Sequence, residues 1–271
     1  MINCLELREI ELFYKNRRIG DKISCRFEKG RVNLIVGRAG SGKSTLLRAI
    51  AGFHKEFSGK IFADDMSFDS EGRIALAFQN PENLFFNPSV GDEVCYALIQ
   101  KDDKEFRQKG IAWLEKWGIE ASAFWKKHPF ELSGGEKRKV ALSACTVLLP
   151  EVILLDEPLA GLDFQGREKL AGIISQIARD HIVIIVTHDP ENLIDLTGRV
   201  LFIGDQAVEF KCVNEFIAKS LQEPDFYPLP DWYVQAMEQK PIKKHIPRLR
   251  AESVFKYLQG TAEDADYLFA G

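Results

Sequence analysis

Gly37-Arg38-Ala39-Gly40-Ser41-Gly42-Lys43-Ser44-Thr45 decides the fold. It follows Arg31-Val32-Asn33-Leu34-Ile35-Val36, an apolar run that reads as a buried parallel strand. It leads into Leu46-Leu47-Arg48-Ala49-Ile50-Ala51, which reads as a helix. Strand, glycine-rich turn and helix together are the setting of a P-loop. The glycines let the backbone curl until its N–H groups face a β-phosphate, and the helix N-terminus adds partial positive charge. Lys43 would supply a full charge to the β- and γ-phosphates, and the Ser44 hydroxyl would ligate Mg2+. From average residue usage the bare pattern arises by chance in roughly 1 in 100 chains of this length, and the flanking strand and helix lower that further.

A second glycine turn, Leu132-Ser133-Gly134-Gly135-Glu136, has no such lysine. It precedes a helical run, Glu136-Lys137-Arg138-Lys139-Val140-Ala141-Leu142, so Ser133 reads as an N-cap and the exposed N–H groups as an anion site. The alternative is a plain capped helix. Two cradles, of which only one can hold a nucleotide alone, suggest a clamp made when two chains meet head to tail.

Further polar groups sit at strand ends. Val152-Ile153-Leu154-Leu155 reads as a buried strand and ends in Asp156-Glu157-Pro158. Ligands and catalytic groups of open α/β sheets gather beyond the carboxyl ends of strands. Asp156 is placed to hold Mg2+ through water and Glu157 to polarise an attacking water; the alternative is an acidic strand cap. Gln79 ends the strand Ile74-Ala75-Leu76-Ala77-Phe78, and His188 follows Ile182-Val183-Ile184-Ile185-Val186 and Thr187. A glutamine amide can contact Mg2+ and the lytic water. A histidine can hydrogen-bond a γ-phosphate and hold Glu157 in place. Singly, each would be an ordinary polar strand end; several sheet termini aimed at one point carry the reading. His54, His128, His181 and His245 have no such setting and read as structural.

The 271 residues, 45% hydrophobic and 28% charged, fit a soluble globular protein with a sizeable core. A net charge of −4 gives no sign of nucleic-acid binding. No apolar run approaches a membrane span, and Met1-Ile2-Asn3-Cys4-Leu5-Glu6 lacks the features of a signal peptide. Cys4, Cys25, Cys95, Cys145 and Cys212 are scattered with no C-x-x-C pair, which suggests reduced thiols in a cytosolic protein. Residues 2–30 read as antiparallel strands at one edge of the core. Residues 31–80 hold the P-loop unit and one further strand. Residues 81–145, with Trp113, Trp117 and Trp125, read as an inserted helical subdomain, residues 164–179 as a helix, and 199–210 as a closing strand pair. Alternating strands and helices imply a parallel α/β sheet covered on both faces. Residues 213–271, with prolines at 224, 228, 230, 241 and 247, read as an appended helical extension.

The ordered set 37–45, Gln79, Leu132-Ser133-Gly134-Gly135-Glu136, Leu154-Leu155-Asp156-Glu157-Pro158, Leu162-Asp163 and His188 resembles the ABC-type ATPase family over residues 1 to about 210. The resemblance implies a P-loop NTPase (RecA-like) core with an edge antiparallel subdomain, the domain ending near residue 212. It implies ATP and Mg2+ as cofactors. Lys43, Ser44 and Thr45 match the Walker A set, Gln79 the Q-loop, and Ser133 and Gly135 the signature. Asp156 and Glu157 match the Walker B pair, Asp163 the D-loop aspartate and His188 the switch histidine. Tyr14 stands where members carry an aromatic that stacks on adenine, with Phe13 as the neighbouring alternative. Glu136 replaces the commoner glutamine.

Phe78-Gln79-Asn80-Pro81-Glu82-Asn83-Leu84-Phe85-Phe86, followed by Ser89-Val90-Gly91-Asp92-Glu93-Val94, resembles the Q-loop region of energy-coupling factor ATPases. That family imports vitamins or transition-metal ions. The resemblance implies a second ATPase chain, an integral membrane scaffold, a substrate-capture protein, and a peripheral position on the cytoplasmic face of the membrane. It also implies that residues 213–271 contribute to dimerisation. Another ABC transporter class and a soluble non-transport ABC regulator are the alternatives. Leu84, Phe85 and Phe86 are either all buried in the helical subdomain, or exposed at one position or more in a groove for a helix of the membrane scaffold.

Overall fold

The computed structural model describes residues 2–15, 17–100, 105–223 and 225–229. Among the described residues there are ten strands and seven α-helices, numbered in chain order. The central sheet has the order β10-β9-β3-β8-β7-β6, comprising β10 (Ala207–Phe210), β9 (Thr197–Ile203), β3 (Val32–Gly37), β8 (Ile182–Val186), β7 (Val152–Asp156) and β6 (Ile74–Ala77). The contacts β9–β3, β3–β8, β8–β7 and β7–β6 are parallel, and only β10 runs antiparallel to its neighbour.

Period-two alternation places the aliphatic residues of this sheet on two separate cores. Val32, Leu34, Val36, Ile153, Leu155, Val183 and Ile185 point into the core shared with α2 (Val90–Gln100), α3 (Phe106–Lys116), α5 (Gly134–Thr146) and α6 (Phe164–Ile177). Ile35, Val152, Leu154, Ile182, Ile184 and Val186 point into the other, shared with α1 (Lys43–Ile50) and the antiparallel sheet. Burial on both faces explains why these strands read as continuous aliphatic runs.

The antiparallel sheet has the order β2-β1-β4-β5, comprising β2 (Arg17–Glu28), β1 (Cys4–Tyr14), β4 (Phe57–Ala63) and β5 (Met66–Ser67). The antiparallel strands expected over 2–30 are present as β1 and β2. β4 and β5 go beyond the single further strand expected within 31–80. β4 buries only Ala63 fully, so it carries little hydrophobic periodicity. Gly59 lets it lie against β1: at φ +93° a Cβ would meet the Glu9 carbonyl oxygen at 2.5 Å.

Between β6 and β7 the chain is helical. α2, α3, the short α4 (Ala121–Phe124) and α5 pack together around Trp113 and Trp117. Both indole N–H groups donate to Thr146 Oγ1, at 2.9 and 3.2 Å, and that hydroxyl donates to the Leu142 carbonyl at 2.6 Å. Both indole donors of this core are thereby satisfied by a single threonine.

α7 (Val213–Gln222) opens the expected C-terminal extension, and Asp225–Leu229 follow it. Pro224, Pro230, Pro241 and Pro247, and most of the expected dimerisation segment, lie outside the described residues. All five cysteines are free thiols. Among the described residues no helix is long and apolar enough to cross a membrane.

Candidate functional site

The parallel strands β3, β7 and β8, with β6 at their flank, carry the candidate groups on their carboxyl ends. After β3 the chain turns through Gly40 (φ +78°) and Gly42 (φ +92°), both left-handed. Gly42 is the N-cap of α1. Gly37 is required for a different reason: a Cβ there would lie 2.1 Å from the Ile203 carbonyl oxygen. Lys43 is 8% exposed, and its Nζ donates to the carbonyls of Gly37 (2.8 Å) and Arg38 (2.7 Å). Burial pushes its pKa down, while the Glu157 and Asp156 carboxylates pull it back up.

A cavity of about 380 Å3 opens over this turn, lined by Tyr14, Ile19, Gly40, Gly42, Lys43, Ser44 and Thr45. Tyr14 is 58% exposed, with Lys15 Nζ 5.5 Å from its ring centre. Between the two aromatics left open by the sequence, Tyr14 is the one that lines the cavity. A larger cavity of about 810 Å3 lies beside it, lined in part by Arg38, Ala39, Gly40 and Ser41. The smaller one holds Lys43 and Ser44, the cation and the hydroxyl that phosphate chemistry needs.

Asp156 ends β7, half-buried, and accepts a hydrogen bond from Ser44. Burial raises its pKa, the Ser44 hydrogen bond lowers it, and neighbouring Glu157 raises it again. Glu157 adopts φ +50°, a left-handed conformation that costs a non-glycine residue of order 1 kcal/mol or more. Surrounding bonds hold it there. Its N–H donates to the Val186 carbonyl at 2.9 Å. Oε1 accepts from His188 N (2.9 Å) and from His188 Nδ1 (2.6 Å), and Oε2 accepts from Thr187 Oγ1 (3.1 Å). The His188 side chain is otherwise open, 70% exposed. The turn is braced again at Asp189, whose Oδ2 accepts from Arg167 Nη1 at 2.6 Å.

β6 ends at Ala77, two residues before Gln79, so Gln79 lies in the loop beyond the strand and is exposed. Its carbonyl, with Asn80 Oδ1, Glu82 Oε1 and the Ala160 carbonyl, accepts hydrogen bonds from the buried Arg138 guanidinium. Arg138 sits on α5, so one side chain ties that helix to the Gln79 loop and to the turn after Glu157. Sequence reading missed it: a long-range bond from a side chain to backbone carbonyls leaves no local pattern.

Ser133 caps α5. The Glu136 N–H donates to Ser133 Oγ, and Ser133 N and Oγ both donate to Glu136 Oε2, at 2.8 and 2.7 Å. This is a reciprocal capping box, a role that either glutamate or glutamine fills. The Ser133 hydroxyl and then its backbone N–H hold the Glu136 carboxyl below the usual glutamate range. A Cβ on Gly134 would meet nothing within 4 Å, and on Gly135 only Leu162 Cδ2 at 3.9 Å. None of Ser133, Gly134 and Gly135 lines the cavity over Lys43. Asp163 caps α6, its Oδ1 accepting from Gly166 N at 2.8 Å. Of the remaining described histidines, His54 bonds the Phe13 and Glu56 carbonyls, His128 stacks on Phe130, and buried His181 bonds the Pro150 carbonyl.

Leu84 and Phe86 are 61% and 66% exposed, whereas Phe85 is buried. Full burial of the triplet is therefore excluded. Buried Glu93 pins the segment, accepting from Phe86 N (3.2 Å) and Asn87 N (2.9 Å) on Oε2. Phe86 stacks edge-on against Tyr96, and Tyr96 and Ile99 continue the exposed apolar patch along α2.

A P-loop on a parallel sheet with an acidic pair at the end of β7 defines a P-loop nucleotide-binding protein. Residues 21–160 match the ABC transporter family, and the chain belongs to it. The resemblance extends to its energy-coupling factor branch. The energy-coupling factor transporter ATP-binding protein EcfA2 of Thermotoga maritima is 35% identical over 216 residues, covering 76% of this chain and 79% of that protein. Its counterpart in Mycoplasma pneumoniae is 34% identical over 201 residues, covering 69% of this chain and 66% of that protein. This chain thus spans about two thirds of the Mycoplasma relative. The structure of cbiO1 from Clostridium perfringens, described as part of the ABC transporter complex cbiONQ, matches with a TM-score of 0.73 and 27% identity. That match covers 88% of this chain and 100% of the other.

Membership makes this chain an ATP-binding protein. The residues also fit a bound Mg2+: Ser44 and Asp156 already share a hydrogen bond at the mouth of the cradle, and Ser41 Oγ is buried with no partner among the described residues. Lys43→Ala is expected to weaken ATP binding about 10- to 100-fold, since a charge-assisted contact to phosphate is lost. It also leaves the Gly37 and Arg38 carbonyls without their donor. Equilibrium titration with a fluorescent ATP analogue tests this; affinity within threefold of the parent removes Lys43 from the site.

Proposed function

We propose that this chain is the ATP-hydrolysing subunit of an energy-coupling factor importer for vitamins or transition-metal ions. It would work in a head-to-tail pair with a second ABC ATPase chain, a copy or a homologue, on the cytoplasmic face of the membrane. An integral membrane scaffold and a substrate-capture protein would complete the complex. The observation that carries this reading is the split between the two cradles. Lys43 and Ser44 line the nucleotide cavity, while Ser133, Gly134 and Gly135 stay open and outside it.

Lys43 and the N–H groups of the P-loop bind the β- and γ-phosphates, Tyr14 stacks on adenine, and Ser44, Asp156 and Gln79 would hold Mg2+. Bound there, Mg2+ would neutralise phosphate charge. Glu157 polarises the attacking water, and His188 contacts the γ-phosphate while orienting Glu157. The partner's signature turn caps the γ-phosphate from outside, with Asp163 alongside. Closure then depends on ATP, and hydrolysis removes the bridge that holds the clamp shut.

The exposed patch of Leu84, Phe86, Tyr96 and Ile99 supports a membrane partner over a soluble regulator, which has no need of one. It lies a few residues beyond Gln79, so movement in the Gln79 loop can pass directly to a docked helix. Phe86→Asp is expected to leave ATPase activity and melting temperature of the isolated chain nearly unchanged. Recovery with the membrane scaffold is expected to fall about tenfold or more, as for an interface anchor replaced by a charge. Normal recovery of the complex would show that the patch is not the coupling surface.

A further inference from the structure

Among the described residues, the turn of Thr187, His188 and Asp189 is held by groups at the end of the sheet and on α6, with one exception. The hydroxyl of Tyr227 donates to the His188 carbonyl at 3.0 Å. Tyr227 belongs to the segment after α7, 39 residues along the chain from the His188 it grips. Its ring is 8% exposed and set in an aromatic seat, 5.2 Å from Phe216 and 6.3 Å from Phe202. Phe226 braces the same seat, 4.2 Å from Phe202, with Lys219 Nζ 4.9 Å from its ring centre. A ring so packed has little freedom, so the position of its hydroxyl is fixed by the C-terminal segment. Burial raises the phenol's pKa, with Asp189, Glu157 and Glu191 acting in the same direction, so it stays protonated as a donor.

We infer that Tyr227 is a positioning residue for ATP hydrolysis, holding the switch histidine in register through its backbone carbonyl. The inference rests on the proposed role of His188. The backbone of His188 is gripped at both of its polar groups: its N–H by Glu157 Oε1 and its carbonyl by Tyr227. Among the described residues the side chain, 70% exposed, hydrogen-bonds only Glu157. Its direction toward a γ-phosphate is therefore set mainly from the backbone. Release of the carbonyl grip lets the turn shift while the nucleotide cradle, built from β3 and α1, is untouched. A loss in kcat without a change in the KM for ATP follows. The contact also gives the C-terminal extension a physical handle on the catalytic turn.

The test uses the full-length chain in its dimeric, ATP-hydrolysing form and follows steady-state phosphate release. Tyr227→Phe keeps the ring and removes one hydrogen bond. It is expected to lower kcat about 3- to 10-fold, with KM for ATP within twofold. Phe216→Leu loosens the same aromatic seat but keeps the phenol and its hydrogen bond; at a temperature well below both melting points its kcat is expected to fall less than that of Tyr227→Phe. In a His188→Ala background, Tyr227→Phe is expected to cause no further fall, because the two residues act through one group. If Tyr227→Phe hydrolyses ATP at the parent rate while His188→Ala is slow, the positioning role is wrong and the reading of His188 stands. If Phe216→Leu slows hydrolysis as much as Tyr227→Phe, the seat and not the hydroxyl matters, and the inference is overturned. If His188→Ala itself turns over at the parent rate, the reading of His188 fails and takes this inference with it.

Discussion

Glu157→Gln is expected to hold ATP with near-parental affinity and to lose turnover by about 100-fold or more, the range associated with removing a general base. The structure explains why the variant should still fold. Glu157 Oε1 takes both donors of His188, and an amide oxygen can do the same. Oε2 faces the Thr187 hydroxyl, which also lies 3.1 Å from the Asp189 carbonyl. In the variant that hydroxyl can turn its proton to Asp189 and accept from the new NH2 group. Shape and hydrogen bonding survive, while the negative charge that polarises water does not. Lys43 keeps Asp156 as a neighbouring carboxylate, so the phosphate cradle is little disturbed. Because binding persists without hydrolysis, ATP should trap the closed pair, visible as a shift in size-exclusion elution. Phosphate release within tenfold of the parent would refute the role given to Glu157.

The legibility of the fold followed burial. β3, β7 and β8 are covered on both faces, so each shows as an unbroken aliphatic run, and the polar residue that ends it stands out. The nine residues of the P-loop add a backbone requirement that sequence can display, because left-handed turns at Gly40 and Gly42 call for glycine. β4 and β5 were invisible for the converse reason: their side chains are mostly exposed or half-exposed, and their pairing with β1 depends on a close approach at Gly59. The Leu84-Phe85-Phe86 triplet marks another limit. Its composition says apolar, but only the fold determines that Phe85 turns inward while its neighbours turn out. Arg138 and Tyr227 show a third. Each donates to a backbone carbonyl distant in sequence, Gln79 in one case and His188 in the other, and a carbonyl has no residue identity to betray the contact.

Ser133→Arg is expected to lower ATP hydrolysis about 100-fold or more while changing ATP affinity at the same chain's own P-loop by less than threefold. The substitution acts in two ways that must be separated. It removes the N-cap of α5, worth about 0.5–2 kcal/mol of helix stability. It also places a long cation on a surface that is open around Gly134 and Gly135, where the partner's nucleotide would be received. Ser133→Ala removes the cap without the bulk, so it should reproduce the loss of stability and only part of the loss of hydrolysis. Complementation then decides between sites built across two chains and sites built within one. Lys43→Ala and Ser133→Arg, each nearly inactive alone, are mixed after dissociation, one substitution on each chain of the pair. In a head-to-tail dimer one site receives both defects and the other receives none. With free reassortment of identical chains, half the dimers are mixed and each has one intact site of two, so activity should return to about a quarter of the parent per chain. If the partner is a homologue, the equivalent substitution is placed on it and every dimer is mixed. A mixture that stays as inactive as its components would mean that each chain closes on its own nucleotide, and the shared-site clamp would have to be abandoned.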